Sequence, residues 1–172
     1  MTSEPIYVEK QGLFKSLIAI IVISMATTDL VLLTTPAFQQ VIKTGFFSWE
    51  TLKFFLGINL AIFLVEFMTL RILRLKTQVR EDGIYIQFLP FIWNWKQFAW
   101  EDIQHWEVRQ YSPIWEYGGW GIKGTRNNRA YNLWGKQGLQ LVLKNGKKVL
   151  IGTQQPEDIK AAILRLGVPQ NR

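Results

Sequence analysis

Two carboxylates sit inside apolar runs of this chain, Asp29 within residues 17–33 and Glu66 within residues 54–70. An ionisable group at bilayer depth points to proton or ion handling, or to a polar pairing between helices. Depth separates the two acids. In antiparallel helices Asp29 falls near the outer end of the first run and Glu66 near the inner end of the second, so they are not expected to meet. Asp29 is expected to reach the outer interface or Lys43, and Glu66 to lie level with Lys15 and close to Arg71. Ser24 and Asn59 fall near mid-depth, where a hydrogen bond between them would clip the two helices together.

Beyond the apolar runs, chemistry-bearing residues are few. The single histidine, His105, has Glu101 and Glu107 nearby in sequence. One imidazole and two carboxylates are a possible metal set, but the spacing puts Glu101 in a turn and Glu107 on a strand. A histidine hydrogen-bonded to one carboxylate is the expected arrangement. Gly119-Trp120-Gly121-Ile122-Lys123-Gly124 matches G-x-G-x-x-G literally, yet a phosphate-binding loop needs a strand before it and a helix after it. The following Thr125-Arg126-Asn127-Asn128-Arg129 reads as a turn instead. Zero cysteines exclude disulfides and thiol nucleophiles and suit a reducing compartment. No metal, cofactor or enzymatic activity is expected.

The elements that hold these residues divide sharply. A helix needs roughly 17–25 mainly apolar residues to cross a ~30 Å hydrocarbon core, and both runs reach that length. The first is too long for a signal's apolar region and has no Ala-x-Ala site after it. The expectation is a two-helix transmembrane hairpin over residues 13–74, after an N-terminal tail (1–12). Arg71, Arg74, Lys76 and Arg80 follow the second run, whereas the connecting loop offers Lys43 and Lys53 against Glu50. By the positive-inside rule both termini then lie in the cytoplasm, making the protein a multi-pass component of the cytoplasmic (inner) cell membrane.

Residues 75–167 read as one domain of short strands, with residues 168–172 as a C-terminal tail. Period-two alternation marks strands at 75–80, 84–89, 105–111, 139–144 and 147–151, with shorter ones at 97–100, 120–123 and 130–134. Asn145-Gly146 predicts a type I′ hairpin, which needs positive φ at both residues. After Pro156, apolar positions recur at Ile159, Ala162, Ile163 and Leu166, a helix that Gly167 ends. Asp82-Gly83-Ile84, Trp100-Glu101-Asp102-Ile103 and the run from Gly152-Thr153-Gln154-Gln155 into Pro156-Glu157-Asp158-Ile159 resemble the bacterial PH-like domain family. Members of that family often follow paired membrane helices. Residues 111–122 are similar to a subgroup of such membrane proteins. The resemblance implies an α+β PH-like barrel of about seven antiparallel strands closed by the C-terminal helix. Such folds serve lipid, peptide and self-association roles.

Two surface features bear on partners. Seven of the eight tryptophans lie between Trp93 and Trp134, and Trp93 and Trp95 follow a proline-bent tip that suits the bilayer interface. From residue 76 onward the chain holds 14 of the 20 Lys and Arg and 8 of the 13 Asp and Glu. That excess draws it towards anionic lipid, with Lys123, Arg126, Arg129 and Lys136 as the expected lipid contacts. Trp115, Tyr117 and Trp120 form the expected protein-binding patch. The reading is a membrane-anchored, non-enzymatic binding or assembly module whose partners are the bilayer, a membrane protein or a second copy, with no nucleic acid. The alternative is a component of a membrane transport or enzyme complex that uses Asp29 and Glu66.

Overall fold

The computed structural model describes residues 4–12, 17–44 and 49–168; Lys15 and residues 169–172 of the expected C-terminal tail lie outside them. Contacts group Met1–Gly12 with Leu73–Arg172 in one unit and Leu13–Ile72 in another.

The first unit is built on nine described strands. In β2 (Arg74–Arg80) Leu75, Thr77 and Val79 are buried, and in β3 (Gly83–Leu89) Ile84, Ile86 and Phe88. This is the period of two that puts alternate side chains on one face. β1 (Tyr7–Gly12), β2, β3 and β4 (Ile92–Ala99) form an antiparallel sheet in that order. The second sheet runs β5-β8-β9-β7-β6, made from β5 (Ile103–Gln110), β6 (Gly121–Gly124), β7 (Asn128–Asn132), β8 (Gln137–Leu143) and β9 (Lys148–Gly152). Among the described strands only the β7–β9 pairing is parallel. Trp106, Tyr131, Leu139, Leu141 and Ile151 join the β2 and β3 side chains in one core, each apolar side chain there contributing about 1.5–3 kcal/mol. A short helix, α4 (Pro113–Tyr117), precedes β6, and α5 (Pro156–Arg165) buries Ile159, Ala162 and Ile163. α5 touches both β2 and β8, so it bridges the two sheets. The helix is capped at Leu166 and followed by Gly167, where φ is +69°.

Three expectations change here. The expected PH-like barrel is not closed: among the described residues no ladder joins the two sheets, and the chain passes from β4 to β5 through a 3₁₀ segment (Trp100–Asp102). That leaves β4 as an edge strand with residues 93–97 all exposed. Residues 7–12, expected as part of a tail, are instead β1. Glu9 accepts hydrogen bonds from the Thr153 hydroxyl (2.7 Å) and the Gln154 backbone N–H (2.8 Å), and the Gln11 amide donates to the Gly152 carbonyl (2.6 Å). These bonds satisfy the inward face of a strand that carries almost no apolar pattern. Finally, Asn145-Gly146 is not a type I′ turn, since no residue other than glycine has positive φ among those described. A β-turn from Leu143 to Gly146 widens the loop, and Gly146 alone is left-handed, at φ +78°.

The second unit contains α1 (Leu17–Leu33), α2 (Pro36–Thr44) and α3 (Trp49–Ile72). α1 packs on α2 and α3, and Phe38 meets Phe55 edge-on at 5.4 Å. Where two spans were expected, one described helix, Leu52–Ile72, is long and apolar enough to cross a membrane, and no residue of its apolar window is fully buried in the protein. The 17 residues of α1 extend about 26 Å at 1.5 Å per residue, slightly less than the ~30 Å core. The linking residues, read as a plain loop, include the nine-residue α2.

Valine at position 146 would force a β-branched side chain into the left-handed region. Gly146→Val is expected to cost about 1–2 kcal/mol, read as a lower melting temperature of the full-length chain in detergent.

Candidate functional site

Strand register gathers several features at one end of the first sheet. Gly12 pairs with Arg74, Arg74 with Leu89, and Phe88 with Ile92. The chain therefore departs for α1 and returns from α3 at opposed positions on β1 and β2, and the Pro90–Phe91 turn lies at that same end. Lys10 stands directly opposite Lys76, a like-charge pairing that is unfavourable unless an anion intervenes. With Gln11, Gly12 and Arg74 they line a cavity of about 270 Å³. Phe91 and Trp93 at the turn are 65% and 68% exposed, and Trp95 is 37% exposed.

A larger cavity, about 370 Å³, opens where β4 faces β7 and the β8–β9 turn. Lys96, Arg126, Arg129, Lys147 and Lys148 converge on it, against the single carboxylate of Asp102. None of the five has an ion-pair partner among the described residues. Lys96 donates to the Tyr131 hydroxyl at 2.8 Å and lies over the Tyr131 and Phe98 rings at 5.2 and 5.3 Å. The Arg126–Arg129 spacing comes from the β6–β7 hairpin, whose tip is closed by a hydrogen bond from the Thr125 N–H to the Asn128 carbonyl (2.9 Å). Gly124 holds that hairpin at φ +87°, where a Cβ would strike the Asn128 carbonyl.

The four expected lipid-binding cations are thus divided. Arg126 and Arg129 share the cavity, Lys123 lies on β6 outside it, and Lys136 lines a separate cavity with Tyr111, Ser112 and Glu116. Lys96, Lys147 and Lys148 complete the group. They were missed because they are distant in sequence, although the Asn145-Gly146 turn was a local signal that Lys147 and Lys148 lead into a strand beside it.

The expected aromatic patch also separates. Trp115 on α4 is 90% exposed and Trp120 39%, stacked on Trp134 at 5.7 Å. Tyr117 is buried instead, packed edge-on against Tyr111 at 6.0 Å, with its hydroxyl 3.3 Å from the side-chain oxygens of Asn128 and Gln140. On a helix each residue turns by about 100°, so Trp115 and Tyr117, two apart on α4, project to roughly opposite sides. Arg109 donates to Glu116 (2.8 Å) and Gln140 (3.0 Å) beside it. That hydrogen bond holds the Glu116 carboxyl below its ordinary range, and burial pushes Tyr117 and Tyr111 above theirs.

In the helical unit, Asn59 donates to Asp29 at 3.0 Å. The expected Ser24–Asn59 clip is not formed. Asn59 also donates to the Phe55 carbonyl (3.1 Å), and the Ser24 carbonyl accepts from Thr27 and Thr28. Ser24 Oγ, Asn59 Oδ1 and Glu66 Oε2 are buried without a partner among the described residues. The literal glycine motif runs into strand β6, not a helix, and Glu107 lies 4.0 Å from Arg109. No group of three His, Asp or Glu side chains that could hold a metal occurs among the described residues.

The chain belongs to a protein family of unknown function, DUF6141, which it matches over residues 4–168. Comparison with curated proteins and with solved structures finds no match.

Tyr117 and Trp115 should respond oppositely to substitution. Tyr117→Phe removes buried hydrogen bonds and is expected to cost about 1 kcal/mol, whereas Trp115→Ala should change stability by less than about 0.5 kcal/mol. Chemical denaturation of the full chain measures both.

Proposed function

We propose that this chain is a membrane-anchored, non-catalytic binding and assembly module, with a two-helix transmembrane hairpin carrying a PH-like two-sheet unit at the cytoplasmic face. The observation that carries the reading is the pairing of Gly12 with Arg74. A chain that leaves a β-ladder at one residue and rejoins it at the opposed one starts and ends on the same side of any bilayer. The number of crossings is then even. If α3 crosses, α1 is the return partner.

Further support comes from the same end of the sheet. Phe91 and Trp93 are aromatics of the kind favoured at the membrane–water interface, and Lys10, Arg74 and Lys76 are suited to lipid phosphates. The positive cluster after α3 favours the cytoplasmic side. Trp115 and the Trp120–Trp134 stack offer anchors for a membrane protein or a second copy. The alternative, a transport or enzyme component using Asp29 and Glu66, draws less support, because Asp29 is engaged by Asn59 in the manner of a structural helix–helix bond.

Topology tests this reading. A reporter fused after Arg172 is expected to behave as cytoplasmic and one inserted at Gly45 as external. Both reporters on one side would remove the hairpin, and the reverse pattern would overturn the orientation.

A further inference from the structure

We infer that the cavity between β4, β7 and the β8–β9 turn binds a ligand carrying phosphate, with two or more negative charges. Five cations, Lys96, Arg126, Arg129, Lys147 and Lys148, surround about 370 Å³ of space with one carboxylate, Asp102, among them. The volume falls in the range of small-molecule sites. Cations crowded without carboxylate partners repel one another, and the arrangement costs stability until an anion enters. Guanidinium groups match phosphate oxygens through two parallel N–H donors. Arg126 and Arg129 stand on one hairpin and bring that geometry to a single wall.

The floor of the cavity adds a neutral donor. The Tyr131 hydroxyl accepts from Lys96, which leaves its own proton to donate to a ligand oxygen. Tyr131 is itself 1% exposed, so the position of that hydroxyl is fixed by the core. Lys96 is held in turn by the Tyr131 and Phe98 rings.

Register sets this cavity apart from the root of the helical hairpin. Lys96 pairs with Ile86, which pairs with Thr77, and Phe98 pairs with Ile84, which pairs with Val79. Lys96 thus stands two ladders, about 10 Å, across the sheet from β2, and Lys76 and Thr77, being adjacent on β2, point to opposite faces of it. The site is therefore different from the one lined by Lys10, Arg74 and Lys76, and it is suited to a soluble phosphorylated molecule as well as to a lipid headgroup.

The experiment uses the full chain in nanodiscs of phosphatidylcholine, titrated at low salt with inorganic pyrophosphate and followed by calorimetry and thermal stabilisation. A parallel arm replaces part of the lipid with phosphatidic acid and adds no pyrophosphate. Saturable binding in either arm is expected, the arm identifying the source of the phosphate. The Arg126→Ala/Arg129→Ala chain should bind roughly tenfold or more weakly while melting, without ligand, no lower than the unliganded parent, since two of the mutually repelling cations are gone. Lys136→Ala, outside the cavity, should bind as the parent does. Absence of binding in both arms, or equal weakening by Lys136→Ala, would overturn the assignment.

Discussion

The pairing of β1 with β2 is the constraint on which the rest of this architecture depends. Residues 7–12 and 74–80 are adjacent in the sheet, yet the helical unit lies between them in the chain. Backbone ladder bonds alone hold an edge strand weakly, and on the inward face of β1 only the half-buried Tyr7 ring packs against the core. Glu9 and Gln11 reinforce the strand by hydrogen bonds to residues 152–154, just ahead of α5. The N-terminal strand, the last loop and the helix that joins the two sheets are thereby fastened together. A buried carboxylate without those donors would be costly, so β1 and the 152–154 segment specify each other.

How much of this was legible depends on where the stabilising contacts come from. Strands β2 and β3 and helix α5 announce themselves because each buries its own apolar residues against the core: Leu75 and Val79, Ile84 and Ile86, Ile159 and Ile163. β1 has no such signature, since its buried positions are Glu9 and Gln11 and their partners lie some 140 residues away. β4 is hidden for a related reason. As an uncovered edge it exposes Trp93 through Gln97 on both faces, which removes the alternation that identifies a strand. Asn59 shows the limit of depth as a guide: Ser24 is the residue level with it by count, yet Asp29, five residues and about 7.5 Å further along α1, is the one its amide reaches.

Charge and aromatic residues follow a comparable pattern. The linear cluster from Lys123 to Lys136 looked like one basic loop, but a β-hairpin turns it so that only Arg126 and Arg129 share a cavity with Lys96, Lys147 and Lys148. Spatial convergence of single cations from three strands and two turns leaves no local motif. Tyr117 likewise sits among exposed aromatics in sequence and among buried ones in space, because one short helix exposes Trp115 on one face and buries Tyr117 on the other.

The β1–β2 ladder is open to direct measurement, since the chain has no cysteine. Lys10→Cys with Lys76→Cys places two thiols at directly opposed positions, about 4.5–5.5 Å apart at Cα and within disulfide reach. Mild oxidation of native membranes should give a single intramolecular crosslink that survives proteolysis between α1 and α3. Failure of that pair to crosslink while the protein remains folded in the membrane would contradict the insertion of the helical unit between paired strands.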